Sequence, residues 1–504
     1  MNPTFLTLAR DTNQARGIAE YALDFVNDKF PLPDESVVRI VEQFFLDSMV
    51  CGVSAISLGT NAPNVLRQEA LEYRVSEARS GVPLFGSTIP VVVEKAVAAN
   101  CAAVREWDAN GTNFGYNPAR GATKGEFGHN DYYPVVVAAA QLQGWNGRKT
   151  VLAMLALDEI RGRLAEVFSL KDHKIDHVVH GAIASAAMFG AALGASVEQI
   201  ESAIGMFVAH YIPFRAIRAG KQLSDSKGAS AAISAEAAVL CMRRAMRGFV
   251  GPADIFRNPE AIFCLFEKPV KKGECPFDLT LTTSGQDFAV TGMHFKLGLY
   301  EHQSAGAIQG LLNLLTQQPS LLESSDAIRK IRITIYEPAF GIIGDPAKRD
   351  PQTRQSADHS MVFIIATVLR KAIQSQQTGW QELMLLPDDY SKSSLFDPLT
   401  RQLIEKIDFR HGGPEYDAKY PDGIPTTVEI EHTTLGWLSS GLVMYPGGHA
   451  RCTTVDRDAI LGHKFRQLAS LGVADPDALL ARFSNLSQKT AGEIATLYEF
   501  ELLS

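Results

Sequence analysis

Two runs of small and apolar residues decide the fold: Val135 to Ala165, VVVAAAQLQGWNGRKTVLAMLALDEIRGRLA, and Val178 to Met206, VVHGAIASAAMFGAALGASVEQIESAIGM. Ala, Leu, Met and Gly dominate both, and β-branched runs are short. Helices made of such residues can approach several neighbours at once, so the pattern predicts the interior of a large helical bundle. Ser230 to Arg247 continues in the same manner until Gly248, Gly251 and Pro252 stop it. Further back, apolar residues recur at helical spacing from Ala15 to about Cys51, with Pro31 and Pro33 separating one helix from a next that begins near Asp34. Roughly the first half therefore reads as all-helical.

The character changes after about Lys271. Phe277 to Thr283 and Phe288 to Val290 are β-rich, and Ile331 to Tyr336 runs Ile-Arg-Ile-Thr-Ile-Tyr with a period of two, the mark of a half-buried strand. Thr426 to His432 and Gly441 to Tyr445 form a further expected strand pair, with Gly436 and Gly441 in the connection. A sheet with helices on one face is the economical construction, so the second domain is expected to be α+β. Pro476 to Leu503 returns to helical periodicity, which leaves open which domain it joins.

With 504 residues, 46% of them hydrophobic, the chain is long enough to bury two cores or three. The 48 basic and 56 acidic residues give a net charge of -8, which offers no general reason to bind nucleic acid or an anionic membrane. Any anion site must rest on local positive charge. The six cysteines are scattered without metal-type spacing and are expected to be reduced thiols, with no resemblance to an iron-sulfur ligand set. No stretch is expected to approach the ~20 apolar residues that span a bilayer. Arg10 and Arg16 lie in a weakly amphipathic start, but Asp11, Glu20, Asp24 and Asp28 dilute any targeting pattern, so a cytoplasmic location is expected. Dinucleotide, Walker-type and Gly-x-Ser-x-Gly motifs are absent from the sequence.

The densest polar region is Arg105-Glu106-Trp107-Asp108-Ala109-Asn110-Gly111-Thr112, continuing through Tyr116, Arg120 and Lys124 to Gly128-His129-Asn130-Asp131. A long Gly-rich polar loop between buried helices points to function. The plainer alternative is that Asp108 or Thr112 caps a helix and His129 is structural. His173, His177 and His180 have helical offsets that could present three imidazoles to a metal. Asp176, however, is a good N-cap for the helix that follows and would leave His173 outside it; His177 at a helix start suits an acid or an anion contact. Arg215, Arg218, Lys221 and Lys227 place four cations within thirteen residues, opposed only by Asp225, as a carboxylate-binding loop or an ordinary charged surface. His294, Lys296, His302, His359 and His449 are further isolated candidates, each by itself more often structural than catalytic.

Taken in order, these pieces resemble the MmgE/PrpD family along nearly the whole chain. The resemblance runs through Glu106-Trp107-Asp108 with Thr112 and Gly128-His129, Glu159-Ile160-Arg161-Gly162-Arg163, Asp176-His177-Val178, and Arg218-Ala219-Gly220 leading to Lys227-Gly228. It continues through Phe295-Lys296 with His302, Asp358-His359-Ser360, and Tyr445-Pro446-Gly447-Gly448-His449-Ala450-Arg451. It implies a mainly α protein with a second α+β domain: an all-helical domain over residues 1–270, completed by C-terminal helices in 455–504, and an α+β lid over 271–454. The site would lie between them and work without metal or organic cofactor, in a homodimer. The family includes 2-methylcitrate dehydratase, cis-aconitate decarboxylase and an iminodisuccinate epimerase.

By position, Asp108, Thr112, His129, His177, Lys296 and His302 match residues that line the family's site, while Lys221 and Lys227 both remain candidates in the basic loop. The implied chemistry is loss of water from a citrate-like tricarboxylate, with 2-methylcitrate as the expected substrate. His129 and His177 would transfer protons, with Asp108 orienting an imidazole or acting as base. Thr112, Lys221, Lys227, Lys296 and His302 would bind substrate. Decarboxylation, isomerisation and binding without turnover remain alternatives. Two departures bear on the substrate: Phe340 stands where the decarboxylase branch has a site tyrosine, and the segment between Thr112 and His129 is unusually long.

Overall fold

Asn13 opens the first helix by accepting a hydrogen bond from the Arg16 N–H, and the chain then builds α1 (Gln14–Val26), α2 (Glu35–Ser57), α3 (Asn61–Glu72) and α4 (Val93–Arg105). There follow α5 (Tyr133–Gln143), α6 (Gly147–Val167), α7 (Val178–Ala192), α8 (Val197–His210) and α9 (Asp225–Met246). The computed structural model describes residues 4–76, 81–218, 222–342 and 344–503. Every residue of α7 is buried, and α1, α5, α6, α8 and α9 all pack against it. A helix apolar on all sides belongs inside a bundle, which is where the Val178 run sits.

The first half also holds strands that its composition hides. β1 (Thr4–Leu8) pairs antiparallel with a strand more than 270 residues away, described below. The long polar segment is a hairpin of β2 (Thr112–Asn117) and β3 (Ala122–His129), turned by Pro118 and by Gly121 at φ +75°. Its Gly and polar content looks like a loop, but Phe114 is buried, with the Arg161 guanidinium 4.5 Å from its ring centroid.

Beyond residue 270 come β4 (Leu279–Ser284), the partner of β1, then β5 (Ile328–Ile335), β6 (Ile407–His411), β7 (Thr427–His432) and β8 (Gly436–Ser439). The last four form one sheet in the order β8-β7-β5-β6, with β5 antiparallel to β7 and parallel to β6. Ile328, Ile331, Ile333 and Ile335 of β5 are fully buried, as their alternation requires. Helix α10 (Ala305–Gln317) packs on β7 and on α11 (Met361–Ser375). The architecture is thus mainly helical with an α+β part.

Two expected strands are corrected. Phe288 to Val290 leads into a 3₁₀ turn, Ala289–Gly292, because the buried Glu159 carboxylate takes the Ala289 N–H at 2.7 Å and the Thr282 N–H at 2.7 Å. In the pair expected at Thr426 to His432 and Gly441 to Tyr445, the second strand is instead Gly436–Ser439, and Val443 makes only an isolated bridge to Thr426. The expectation that no apolar stretch approaches membrane length is corrected by α2, 23 residues with a mean hydropathy of 1.3 over its apolar window. Its length and composition would cross a bilayer, yet 72% of that window is buried inside the protein, where α4 and α12 (Arg457–Gly472) pack on it.

Helix α12 carries Lys464, whose Nζ lies 2.5 Å from Asp47 Oδ1 on α2, with both side chains fully buried. The same ammonium donates to Ala109 O at 2.6 Å and to Lys296 O at 2.8 Å, so one side chain fixes two backbone segments beside the cavity described next. Removing one partner of a buried ion pair leaves an uncompensated charge, at about 3–5 kcal/mol. Lys464→Met is therefore expected to lower the denaturation free energy by about that much, and Asp47→Leu added to it to recover most of the loss. Chemical denaturation of the single and double variants checks this; equal stability of Lys464→Met and wild type would contradict it.

Candidate active site

α4 ends at Arg105, and the chain turns sharply through Asp108, which sits at φ +50°, a left-handed conformation that Asp adopts more readily than most residues. Gly111 has to be glycine, since a Cβ there would lie 2.2 Å from Asn130 Oδ1 and 2.3 Å from the Phe44 ring. Trp107 Nε1 anchors the turn to α2 by donating to Ser54 Oγ at 2.9 Å. Arg354, in the turn before α11, lies over the Trp107 ring and pairs with Glu106 at 2.5 Å and Asp358 at 3.0 Å.

The Asp108 carboxylate is buried at 1% exposure. Its Oδ1 accepts from Arg105 and Lys296; its Oδ2 accepts from Lys227 Nζ at 3.0 Å and faces His359 Nε2 at 3.0 Å. Lys296 also donates to the Asp108 backbone oxygen at 2.7 Å. Burial by itself raises the carboxyl pKa, but Arg105, Lys227, Lys296 and His359 outweigh it and hold the group well below the usual carboxylate range. Asp108 is ionised at neutral pH.

These groups wall a cavity of about 90 Å³ that is also lined by Thr112, His129, His177, Arg215, Arg218, Glu301, His302 and Lys348. Every site residue expected from the sequence borders it except Lys221, which lies outside the described residues. Arg105, Glu301 and Lys348 were not among the expected site residues. Arg105 directly precedes the Glu-Trp-Asp motif and could have been found from it; Lys348, on the short turn Pro346–Lys348, carries no sequence signal. Six lining side chains are Arg or Lys and two are carboxylic, so the cavity favours an anion. Burial pushes the Glu301 carboxyl above its usual value, against His359 and Lys296, which weakens its opposition to that charge.

Two imidazoles face each other here, the ring centroids of His129 and His177 being 5.3 Å apart. His129 Nε2 is 3.1 Å from Arg105 Nη2; a guanidinium only donates, so Nε2 accepts and the ring proton is on Nδ1. His129 Nδ1 and His177 Nε2 meet no partner among the described residues. Burial first, then Arg105 and Lys296, lower the His129 pKa well below the ordinary histidine value; burial does the same for His177, where Arg218 adds to it against Asp176. Both rings are neutral near neutral pH.

The cap expected of Asp176 is corrected. His177 occupies the N-cap position of α7, and the Asp176 carboxylate is taken by Arg218, through Nε and through Nη2 at 3.2 Å. His173 does fall outside α7, where it faces Glu267 at 3.2 Å, and His180 Nε2 contacts Phe168 O at 3.0 Å, with burial lowering its pKa to about 4. The three imidazoles of that motif thus have separate surroundings. Asp108, Asp358 and His359 do offer ligand atoms within 4.8 Å of one another, but Arg105, Lys227 and Lys296 already supply positive charge to Asp108.

The chain matches the MmgE/PrpD N-terminal domain over residues 16–272 and the MmgE/PrpD C-terminal domain over residues 300–484. It belongs to the MmgE/PrpD family. Among its relatives, the mitochondrial 2-methylcitrate dehydratase of Yarrowia lipolytica is 23% identical over 447 residues, 84% of this chain and 79% of that protein. The 2-methylcitrate dehydratase of Escherichia coli K12 is 23% identical over 310 residues, 60% of each chain.

A cationic cavity predicts stabilisation by small polycarboxylates. Citrate at a hundred times its Kd contributes about 2.7 kcal/mol by mass action, enough to raise the melting temperature measurably at matched ionic strength. Lys348→Met is expected to reduce that shift. A wild-type melting temperature indifferent to citrate would contradict the anion reading.

Proposed function

We propose that the protein is a lyase that eliminates water from a small tricarboxylate, 2-methylcitrate being the expected substrate. The observation that carries this reading is the pairing of two neutral, partly unpartnered imidazoles, His129 and His177, with a wall of cations in one buried cavity. The names of the two relatives point the same way.

Elimination needs a base for a carbon-bound proton, an acid for the departing hydroxyl and positive charge where the enolate-like intermediate gathers electrons. A neutral imidazole is competent as the base, and its pKa rises when a bound trianion cancels the surrounding positive charge. His129 and His177 take the proton-transfer roles. Asp108, held ionised by its cations, is a poor base; it orients Arg105, Lys227 and Lys296. Lys227, Lys296 and the arginines hold substrate carboxylates, Thr112 offers a hydroxyl that meets no partner among the described residues, and His302 borders the same space. Lys221 stays a candidate from its place in the basic loop.

The direct test is a screen of the chelator-treated protein against 2-methylcitrate, citrate and cis-aconitate, following the ultraviolet absorbance of the conjugated alkene and the release of CO₂. Dehydration of 2-methylcitrate that survives chelation is expected; CO₂ from cis-aconitate would assign the chain to decarboxylation, and restoration of activity only by added metal would overturn the proposed chemistry. His129→Gln is expected to keep the fold and lower kcat by ~10² or more, because glutamine hydrogen-bonds but exchanges no proton near neutral pH. A normal kcat with a lowered melting temperature would make His129 structural.

A further inference from the structure

His294 has no role in the scheme above. Its backbone exchanges hydrogen bonds with Thr112 in both directions at 2.8 Å, which fixes it beside the site. Its side chain is buried, and its Nδ1 lies 2.9 Å from Nε2 of His302. His302 borders the substrate cavity, and its other ring nitrogen, Nδ1, meets no partner among the described residues. His294 itself lines a second cavity, of about 60 Å³, with Tyr116, Asp422, His449 and Arg451. That exceeds the roughly 10–15 Å³ needed to hold a water. The two cavities share no lining residue. The His302–His294 hydrogen bond joins them.

The second cavity is suited to water. His449 packs on His294 with 3.9 Å between ring centroids. Its Nδ1 accepts the Arg451 N–H at 3.1 Å, so its proton is on Nε2, which is buried and meets no partner among the described residues. A donor aimed at nothing in a polar pocket is where a water is held.

We propose that His302 and His294 form a proton relay between the substrate cavity and water in the second cavity. The inference rests on the lyase reading. Elimination moves one proton from carbon to a base and another from an acid to the leaving hydroxyl, and both groups must be reset before the next turnover. In the outward step, His302 gains a proton at Nδ1 and gives its Nε2 proton to His294 Nδ1. His294 in turn gives its Nε2 proton to water. One proton enters and one leaves, both rings stay neutral, and each changes tautomer; the inward step reverses every transfer. Burial lowers both imidazoles well below the ordinary histidine range, which disfavours a charged ring and suits a transfer that never makes one. His294 is thus a positioning residue that acts through His302.

The test compares His294→Asn with His294→Leu, using 2-methylcitrate as probe. The asparagine amide can occupy the place of Nδ1 and hold His302, but it passes no proton near neutral pH. Both variants are expected to lose about tenfold or more in kcat with KM nearly unchanged, to show an enlarged solvent deuterium isotope effect, and to regain activity with added imidazole. Wild-type kcat and isotope effect in His294→Asn would overturn the relay. If the wild type turns over neither 2-methylcitrate nor cis-aconitate, the lyase reading fails, and the relay is judged on the ligand-free protein by NMR with ¹⁵N-labelled histidine. Expected there are a scalar coupling between His302 Nε2 and His294 Nδ1 and ring-nitrogen shifts averaged between the two neutral tautomers; one fixed tautomer for each ring would overturn the proposal.

Discussion

Four parts of the chain meet at one buried carboxylate: Arg105 at the end of α4, Lys227 in the first turn of α9, Lys296 before α10 and His359 before α11 all reach Asp108. Without that charge, the Arg105 guanidinium and two lysines whose pKa burial already lowers would face one another, with Asp131 at 3.6 Å from Arg105 and Asp358 at 3.8 Å from Lys227 to oppose them. At an effective dielectric constant near 20, like charges about 4 Å apart repel by roughly 4 kcal/mol, so an anion among them strongly favours the charged cluster. Asp108 supplies that anion. Lys464 does comparable work from behind, bonding the backbone at Ala109 and at Lys296 while its charge is met by Asp47.

This balance determines what a ligand changes. Asp108 is shared by several cations, and six Arg or Lys side chains against two carboxylic ones line the cavity, which leaves it open to more negative charge. A polycarboxylate would complete the balance and, by cancelling positive potential, raise the pKa of the neutral imidazoles. Binding and proton-transfer competence are then coupled through the same electrostatics. The proposed relay through His294 belongs to this picture, because histidines that gain charge only when substrate fills the cavity need a route for protons that does not pass through the substrate.

The bundle was legible in the sequence because small residues at a period near 3.6 have few other uses than close helix packing, and α7 is buried at every position. Most of the expected site residues also converge, since they sit in short polar motifs at the ends of such helices. What escaped reading depends on long-range pairing. β1 finds its partner more than 270 residues away, and no local pattern in Thr4–Leu8 announces it. Phe288 to Val290 has strand composition, but Glu159, on another element, captures the backbone N–H of Ala289. Asp176 has the chemistry of a cap and is claimed by Arg218. The apolar length of α2 suits a membrane as well as a core, and only its neighbours decide between them. Gly448, at φ +87°, sits where a Cβ would lie 2.1 Å from Phe295 O; its motif was visible, but the close approach that requires glycine was not.

The central claim is that an ionised Asp108 balances a cation cluster built to receive further carboxylates. Calorimetric titration of citrate into Asp108→Asn, beside the wild type, tests it most directly. The amide keeps the size of the side chain and removes the competing charge, so the account predicts tighter binding, by about tenfold or more, or at least 1.4 kcal/mol. Weaker binding, or none in either protein, would contradict it.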